Sequence, residues 1–201
     1  MATSPKQAIS AARQRWATAR FGLQDMQMRT SRYQSGLMNA VVFGRMVSFA
    51  LQNMKNAVDD WEQWYEPIQK ELRDDPIMPY FVNLRNEIEK QATSNLAYMS
   101  AHLKSFGGAD IERFRPAPPG ATGIVIASAD HGGASGWMVT ADDGTEELYV
   151  IELPDNMLQV TMHMPRAPQG YETVEAADIV AEYLTKLEAV INRAEAHFVR
   201  D

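Results

Sequence analysis

The chain has 201 residues, of which 45% are hydrophobic and 22% are charged, and it contains no cysteine. This composition suits a globular domain and excludes global disorder, while the lack of cysteine excludes disulfides, thiolate zinc sites and a cysteine nucleophile. The net charge of −7 is unevenly placed, because residues 1–58 carry +7, residues 59–115 carry −4 and residues 116–201 carry −10. We expect the basic and acidic parts to complement each other within one chain or between two.

Apolar residues at steps of three and four predict helices over the first part of the chain. One row of apolar residues covers Ile9–Leu37, and a second covers Ala40–Val58. The first row, or stripe, predicts one long helix or two helices in near-register. Gly22 and Gly36 are the weak points of the first stripe, because glycine costs about 1 kcal/mol relative to alanine inside a helix.

Pairs of aspartates mark the starts of the next two predicted helices. Asp59-Asp60 precedes a helix over Trp61–Leu72, and Asp74-Asp75-Pro76 opens the one after it. Proline is harmless at a first helical position, because the N–H that it lacks would have no partner there. A further helix is predicted over Asn95–Phe106.

Beyond Arg115–Gly120, which is too rich in proline to continue a helix, the pattern changes to strands. Four strand-like segments with glycine-rich or Asp-Gly turns between them predict an antiparallel meander. These segments are Gly123–Ala129, Gly136–Ala141, Glu147–Leu153 and Met157–Met164. A meander of about forty residues has too little interior to stand alone, so we expect it to pack on the helices.

The predicted class is therefore α+β and mainly α. A helical bundle is expected over residues 1–115, the meander over residues 116–170, and a C-terminal helix that packs back on the bundle over residues 171–201, all within one cooperative domain. No apolar run reaches the ~18 residues that a membrane span requires, and the N-terminus lacks the apolar core of a secretory signal. We expect a cytoplasmic protein without membrane contact.

The motifs of several common sites are missing from the sequence. There is no P-loop and no G-x-S-x-G elbow, and His131–Gly136 is predicted to be a flexible turn between strands. The histidines lack metal-ligand spacing, and His163 is expected at the surface because it alternates with apolar neighbours. We therefore predict no metal and no cofactor.

Three aromatic residues lie close together in the predicted helix over Trp61–Leu72. Trp61 and Tyr65 are one turn apart, which is typical of the buried face of a short helix. Trp64 lies beside them and is a candidate for contact with a partner. We therefore name Trp61, Trp64 and Tyr65 as candidate interface residues.

Residues 30–95 contain an apolar helix, a Trp-Tyr helix and then the segment Tyr80-Phe-Val-Asn-Leu-Arg-Asn86 after an Asp-Pro pair. This arrangement resembles the HEPN-like helical proteins, in which such a helix carries Leu-Arg-Asn and a downstream histidine. The resemblance implies a bundle of four or five helices and homodimers formed through the Arg-Asn helix. In active members it also implies metal-independent cleavage of RNA.

The catalytic histidine of that pattern falls five residues after the arginine, and Lys90 stands at this position. Such cleavage needs an arginine to neutralise the scissile phosphate and a histidine, with a pKa near ~6.5, to move the proton of the 2′-hydroxyl. A lysine is protonated at neutral pH, so it can hold a phosphate but cannot act as the base. Arg85, Asn86 and Lys90 are therefore candidates for binding RNA or another anion.

Helical geometry offers a structural alternative for the same residues. At about 100° per residue, Asn86 and Lys90 share a face opposite the apolar stripe, while Arg85 and Glu89 form an i, i+4 pair. In this interpretation Arg85 is tied to Glu89 or to another acid, and Asn86 caps or bridges a dimer contact.

Three classes of function stay open. The first is a non-catalytic HEPN-like protein that acts through homodimerisation and association with a protein partner, in the toxin–antitoxin or defence setting that the resemblance implies. The second is an RNA-binding protein or metal-independent endoribonuclease that uses Arg85 and Asn86. The third is a metabolic enzyme whose acidic residues near strand ends perform acid–base chemistry or bind a cation. Those acids are Asp130, Asp142, Asp143, Glu147 and Glu152. We favour the first, without catalytic activity.

Overall fold

A computed structural model describes residues 3–28, 31–91, 96–104, 110, 112–154 and 157–199. Within these ranges the α-helices are α1 Pro5–Gln27, α2 Tyr33–Gln52, α3 Trp61–Asp74, α4 Ile77–Gln91 and α5 Ala176–Phe198. The β-strands are β1 Tyr98–Leu103, β2 Ala121–Ser128, β3 Ala134–Thr140, β4 Glu146–Val150 and β5 Leu158–His163. The class is α+β and mainly α, as predicted. None of the helices in the described ranges is long and apolar enough to cross a membrane.

The helices α1 and α2 form an antiparallel pair. Helix α1 begins with a capping box, in which the Ser4 hydroxyl accepts from the N–H of Gln7 at 3.3 Å and the Ser4 N–H donates to the Gln7 side chain at 3.1 Å. Of the two alternatives for the first stripe, the chain adopts two helices, which meet closely at Gly22 and Gly36.

The last helix, α5, closes the bundle against α1 and α2. The indole N–H of Trp16 on α1 donates to the carbonyl oxygen of Leu184 at 2.9 Å. On the other side, the ring of Tyr183 stacks on Phe81 of α4 with centroids 4.1 Å apart, and it also packs against Gly44 of α2. The C-terminal helix therefore joins three other helices in one apolar core.

The helix predicted over Asn95–Phe106 is wrong in the part that the structure describes, residues 96–104, where the chain forms β1. This strand pairs antiparallel with β5, with Tyr98 opposite His163 and Leu103 opposite Leu158. The local pattern alternates between polar and apolar residues, and the partner strand stabilises that alternation with cross-strand hydrogen bonds. A short segment of this kind is ambiguous until its partner is known.

The predicted four-stranded meander over residues 116–170 is also wrong. Strands β2, β3 and β4 form a three-stranded antiparallel sheet, which we call the sheet arm, and the fourth segment pairs with β1 instead. The Asp-Gly turn between β3 and β4 is confirmed, because Gly144 has a φ of +83° and the Asp143 carboxylate accepts from the N–H of Thr145 at 2.9 Å.

The turn between β2 and β3 attaches the sheet arm to the helices. Gly132, with a φ of +64°, lies under the ring of Tyr33 at the start of α2, and Gly133, with a φ of +84°, lies under Val160 of β5. Both glycines are buried. The prediction of a flexible turn is therefore wrong, because the turn is packed between a helix and the second sheet.

Candidate functional site

Arg85 on α4 is already occupied by its neighbours. Its Nη1 atom lies 2.5 Å from the carboxylate of Glu89 and 3.3 Å from the side-chain oxygen of Asn86, and the side chain is 25% exposed. The predicted i, i+4 pair is confirmed. The guanidinium that would neutralise a phosphate is thus partly buried and faces a carboxylate.

The two other residues of the predicted anion site lie on the same helix. Asn86 is half-buried and accepts from Arg85, while Lys90 is exposed near the end of α4. A second carboxylate, Glu87, lies close by and is paired with Arg166 at 2.5 Å. Helix α4 therefore brings the predicted residues together, but among acids that repel a phosphate.

Asp75 begins α4 and links it to α5. Its carboxylate accepts from the N–H of Ile77 at 2.9 Å and from the N–H of Met78 at 3.2 Å, and its other oxygen pairs with Lys186. Burial alone would raise the pKa of this carboxyl, but the hydrogen bonds outweigh burial, so the pKa lies below its ordinary value. The predicted start of this helix is confirmed.

The aromatic residues named as interface candidates pack within the chain. Trp61 is 3% exposed and stacks on Tyr65 with centroids 4.7 Å apart, while Trp64 meets Phe198 of α5 edge to face at 4.9 Å. At the start of α3, the Asp60 carboxylate contacts the ring of His197 at 2.7 Å and does not cap the helix. This aromatic cluster therefore joins α3 to the end of α5.

The prediction of a surface position for His163 is wrong, because its side chain is 9% exposed. Its Nε2 atom lies 2.7 Å from the hydroxyl of Ser100 across the β1–β5 pair, and the ring of Tyr98 stacks on it. As predicted, its side chain lies on the opposite face of the sheet from its apolar neighbours in the strand. The ring of Tyr98 covers it on that face. Its Nδ1 atom is buried without a hydrogen-bond partner in the described ranges.

The acids proposed for an enzymatic site lie on the surface of the sheet arm and beside it. The exposed ones are Asp130, Asp142, Asp143, Glu147 and Glu152. The hydroxyl and the N–H of Thr145 lower the pKa of Asp143 by hydrogen bonding to its carboxylate. Among the residues that the structure describes, no group of three or more His, Asp or Glu side chains is placed to hold a metal ion.

Sequence reasoning missed a groove that lies between three helices. It has a volume of about 290 Å³ and is lined by side chains of α2, α3 and α4, including Arg45 and Arg73. The available signal was the solitary charge of α2, since Arg45 is the only charged residue in twenty. We call this feature the α2–α3–α4 groove.

These elements define a mainly helical α+β protein with two small antiparallel sheets. Residues 7–103 match the model of the family described as Bacteriophage lambda protein ea47. The matched part extends from α1 to β1, so the sheet arm and α5 lie outside it. No curated protein and no solved structure matches the chain.

Proposed function

We propose that the chain is a non-catalytic, HEPN-like protein that acts through homodimerisation and association with a protein partner. The dimer is supported by two exposed parts of the chain that match each other. Both have apolar side chains, and their charges are opposite. One part is the outer face of α2 with the neighbouring bases of α1, and the other is the sheet arm.

The outer face of α2 is apolar. Its solvent side carries Met38, Val42, Met46 and Phe49, at steps of four, four and three along the helix. Phe49 is 42% exposed and Met38 is 37% exposed. We call these four residues the α2 outer stripe. Val42 and Met46 are half-buried, so the row is exposed at its two ends. An apolar row with exposed ends indicates a surface that a partner covers.

The charge around this stripe is positive. Helices α1 and α2 carry five bases and one acid between them. Arg15 and Arg20 are exposed, and neither has a carboxylate partner in the described ranges. The exposed surface of the α1–α2 pair therefore favours an acidic partner.

The sheet arm has the opposite character. Residues 116–154 contain six acids and no lysine or arginine. Exposed apolar side chains lie between those acids, with Tyr149 at 59%, Val150 at 48% and Ile124 at 42%. None of the six acids forms an ion pair within the described ranges.

A second copy of the chain is the occupant that this pattern fits best. If the sheet arm of one copy binds the α2 outer stripe of the other, apolar side chains meet apolar side chains and acidic residues meet basic ones. The exchange would be reciprocal, as a twofold dimer requires. The two surfaces both stay exposed in one chain, so each is available to the partner.

The absence of catalysis in this proposal is supported by the surroundings of Arg85. Arg85 is paired with Glu89, and a lysine stands where the HEPN-like pattern has its histidine, so the predicted site on α4 lacks both an unpaired arginine and the catalytic histidine. The HEPN-like resemblance implies a toxin–antitoxin or defence setting, in which the dimer would bind a protein partner. Copurification of a tagged chain with the product of an adjacent gene tests that part.

The dimer is tested by multi-angle light scattering at tens of micromolar. The wild type is expected to give twice the mass of 22.5 kDa. Phe49→Glu and Phe49→Lys remove the same apolar area from the α2 outer stripe, but only the glutamate repels the acidic arm. We expect Phe49→Glu to be monomeric and Phe49→Lys to retain more dimer, with a difference that shrinks at high salt.

Two results would contradict the dimer or its surface. A monomeric wild type at these concentrations rules out the dimer itself. A wild-type dimer that both Phe49 variants leave intact places the interface elsewhere. Circular dichroism of each variant checks that the helical content is unchanged.

A further inference from the structure

We infer that the α2–α3–α4 groove is a binding site for a phosphate ester of about mononucleotide size. This site is separate from the predicted anion site on α4, and the inference does not rest on homodimerisation. It rests on two arginines without acidic partners, on a serine hydroxyl of the lining that makes no hydrogen bond within the chain, and on apolar side chains in the same lining.

Three helices contribute the polar lining of the groove at helical spacing. These side chains are Arg45, Ser48 and Gln52 of α2, Gln69 and Arg73 of α3, and Asn83 of α4. The Gln52 amide donates to the hydroxyl of Tyr65 at 3.5 Å and joins α2 to α3 at one end. With the hydroxyl of Tyr65, which also lines the groove, the lining therefore offers two cations and five neutral polar groups to a ligand.

Neither arginine is neutralised by the protein. The guanidinium of Arg45 lies 4.5 Å from the ring centroid of Phe49 and has no carboxylate partner in the described part of the chain. Arg73, which is exposed in the last turn of α3, also has no carboxylate partner in the described part of the chain. Two guanidinium groups on one groove without a carboxylate in its lining favour an anion, and their planar donors match phosphate oxygens.

Ser48 supplies an independent indication of a ligand. It is only 8% exposed, yet its hydroxyl makes no hydrogen bond within the described ranges. Helical hydroxyls elsewhere in this chain bond back to the preceding turn, as Thr18 does with the carbonyl oxygen of Gln14 at 3.0 Å. Because this oxygen keeps solvent contact, it can donate a hydrogen bond to a ligand oxygen in the groove.

Two further carboxylates lie in a neighbouring hollow. That hollow shares Gln52, Tyr65 and Gln69 with the groove and also contains Glu62 and Glu66. Glu62 is paired with Lys55 at 3.0 Å. Glu62 and Glu66 thus lie beyond the shared side chains. The Asp75 carboxylate, which accepts from the N–H of the lining residue Met78 at 3.2 Å, is paired with Lys186.

The other lining residues determine which phosphate esters fit. Leu72, Met78 and Val82 give the groove an apolar wall. A volume of about 290 Å³ is near the lower limit of small-ligand sites. Together these features select a phosphate that carries a compact apolar or aromatic group, such as a nucleoside monophosphate.

Isothermal titration with AMP, adenosine and inorganic phosphate in low-salt buffer tests the site. We expect AMP to bind more tightly than inorganic phosphate, and adenosine to give no measurable heat. Arg45→Gln and Arg73→Gln should each weaken AMP binding about tenfold or more, because each loses charge-assisted hydrogen bonds. Ser48→Ala should weaken it a fewfold. Lys70→Gln, an exposed cation on α3 outside the groove, should change it less than twofold.

Thermal melts establish that each variant is folded, and light scattering of the same samples reports the dimer separately. No heat from AMP or phosphate at about 5 mM would overturn the site. AMP binding that both arginine variants and Ser48→Ala leave unchanged would place the ligand elsewhere and would also overturn it. Binding of adenosine as tight as that of AMP would show that the phosphate is not recognised.

Discussion

Gly22 and Gly36 face each other where α1 crosses α2. A Cβ atom on Gly22 would lie 2.3 Å from the carbonyl oxygen of Gly36, and one on Gly36 would lie 2.6 Å from the carbonyl oxygen of Gly22. Real Cβ atoms do not approach a backbone oxygen so closely. The two glycines therefore permit an interhelical contact between backbones.

Gly22→Ala should lower stability, although alanine is the better helix former. At an open helical position this change would gain about 1 kcal/mol, but here the added methyl group forces the helices apart, at a cost of about 1–3 kcal/mol. Urea denaturation followed by circular dichroism measures the change. Gly123→Ala in β2, where a Cβ atom would meet nothing within 4 Å, is the control and should be close to neutral. An alanine at position 22 that stabilises the protein would contradict the close crossing.

The same pair shows what the sequence could predict about the helices. Periodicity gave the helical stripes, and propensity marked both glycines as weak points, because these depend on local residues. The sequence alone could not show that Gly22 and Gly36 contact each other, because that contact depends on how the two helices cross. Gly132 is similar: a glycine-rich turn was predictable, but the ring of Tyr33 above it was not.

Asp75 should make part of the stability depend on acid pH. Since its folded pKa lies below the ordinary value of 3.8, its contribution is fully present above about pH 4 and is lost as pH falls through the folded pKa. The unfolding free energy of the wild type should therefore fall more steeply between pH 4 and pH 2 than that of Asp75→Asn. Asn keeps a capping oxygen, whereas Asp75→Ala should lose about 1 kcal/mol at neutral pH.

The control for the Asp75 variants is a substitution of the neighbouring acid, Asp74. Asp74→Asn removes an exposed carboxylate that has no ion pair in the described ranges, so it should leave the pH dependence of the wild type unchanged. If Asp75→Asn and wild type give parallel curves from pH 7 to pH 2, Asp75 is not the group responsible.

The hydroxyl of Ser100 should stabilise the β1–β5 pair through His163. Ser100→Ala leaves a buried ring nitrogen without its partner at 2.7 Å, while the other ring nitrogen already lacks one. The expected loss is about 1–3 kcal/mol in the free energy of unfolding. Thr122→Ala removes an exposed hydroxyl that donates to the carbonyl oxygen of Met138 at 3.2 Å, and it should change stability by less than about 0.5 kcal/mol. Equal effects of the two substitutions would argue against a structural role for this pair.

The position of His163 also explains why the sheets were predicted less well than the helices. Alternation in Val160–Met164 correctly gave a strand and the direction in which His163 points. Burial on that face comes from Tyr98, which is 65 residues earlier in the chain and lies in a segment predicted as helix. Strand partners are set by long-range pairing, so neither the two-sheet arrangement nor the groove between α2, α3 and α4 could be derived from local patterns.

The wild type should not cleave RNA. Arg85 is held by Glu89, Glu87 adds a second carboxylate nearby, and a lysine stands at position 90 where the HEPN-like pattern has its histidine. We expect total RNA to stay intact on incubation with the wild type, with Arg85→Ala and with Lys90→His, because a histidine alone does not release the arginine from its ion pair. Denaturing gels of reactions that contain EDTA measure this and exclude metal-dependent contaminants. Cleavage by the wild type that persists in EDTA and disappears in Arg85→Ala would reverse the assignment and make α4 the catalytic helix of a ribonuclease.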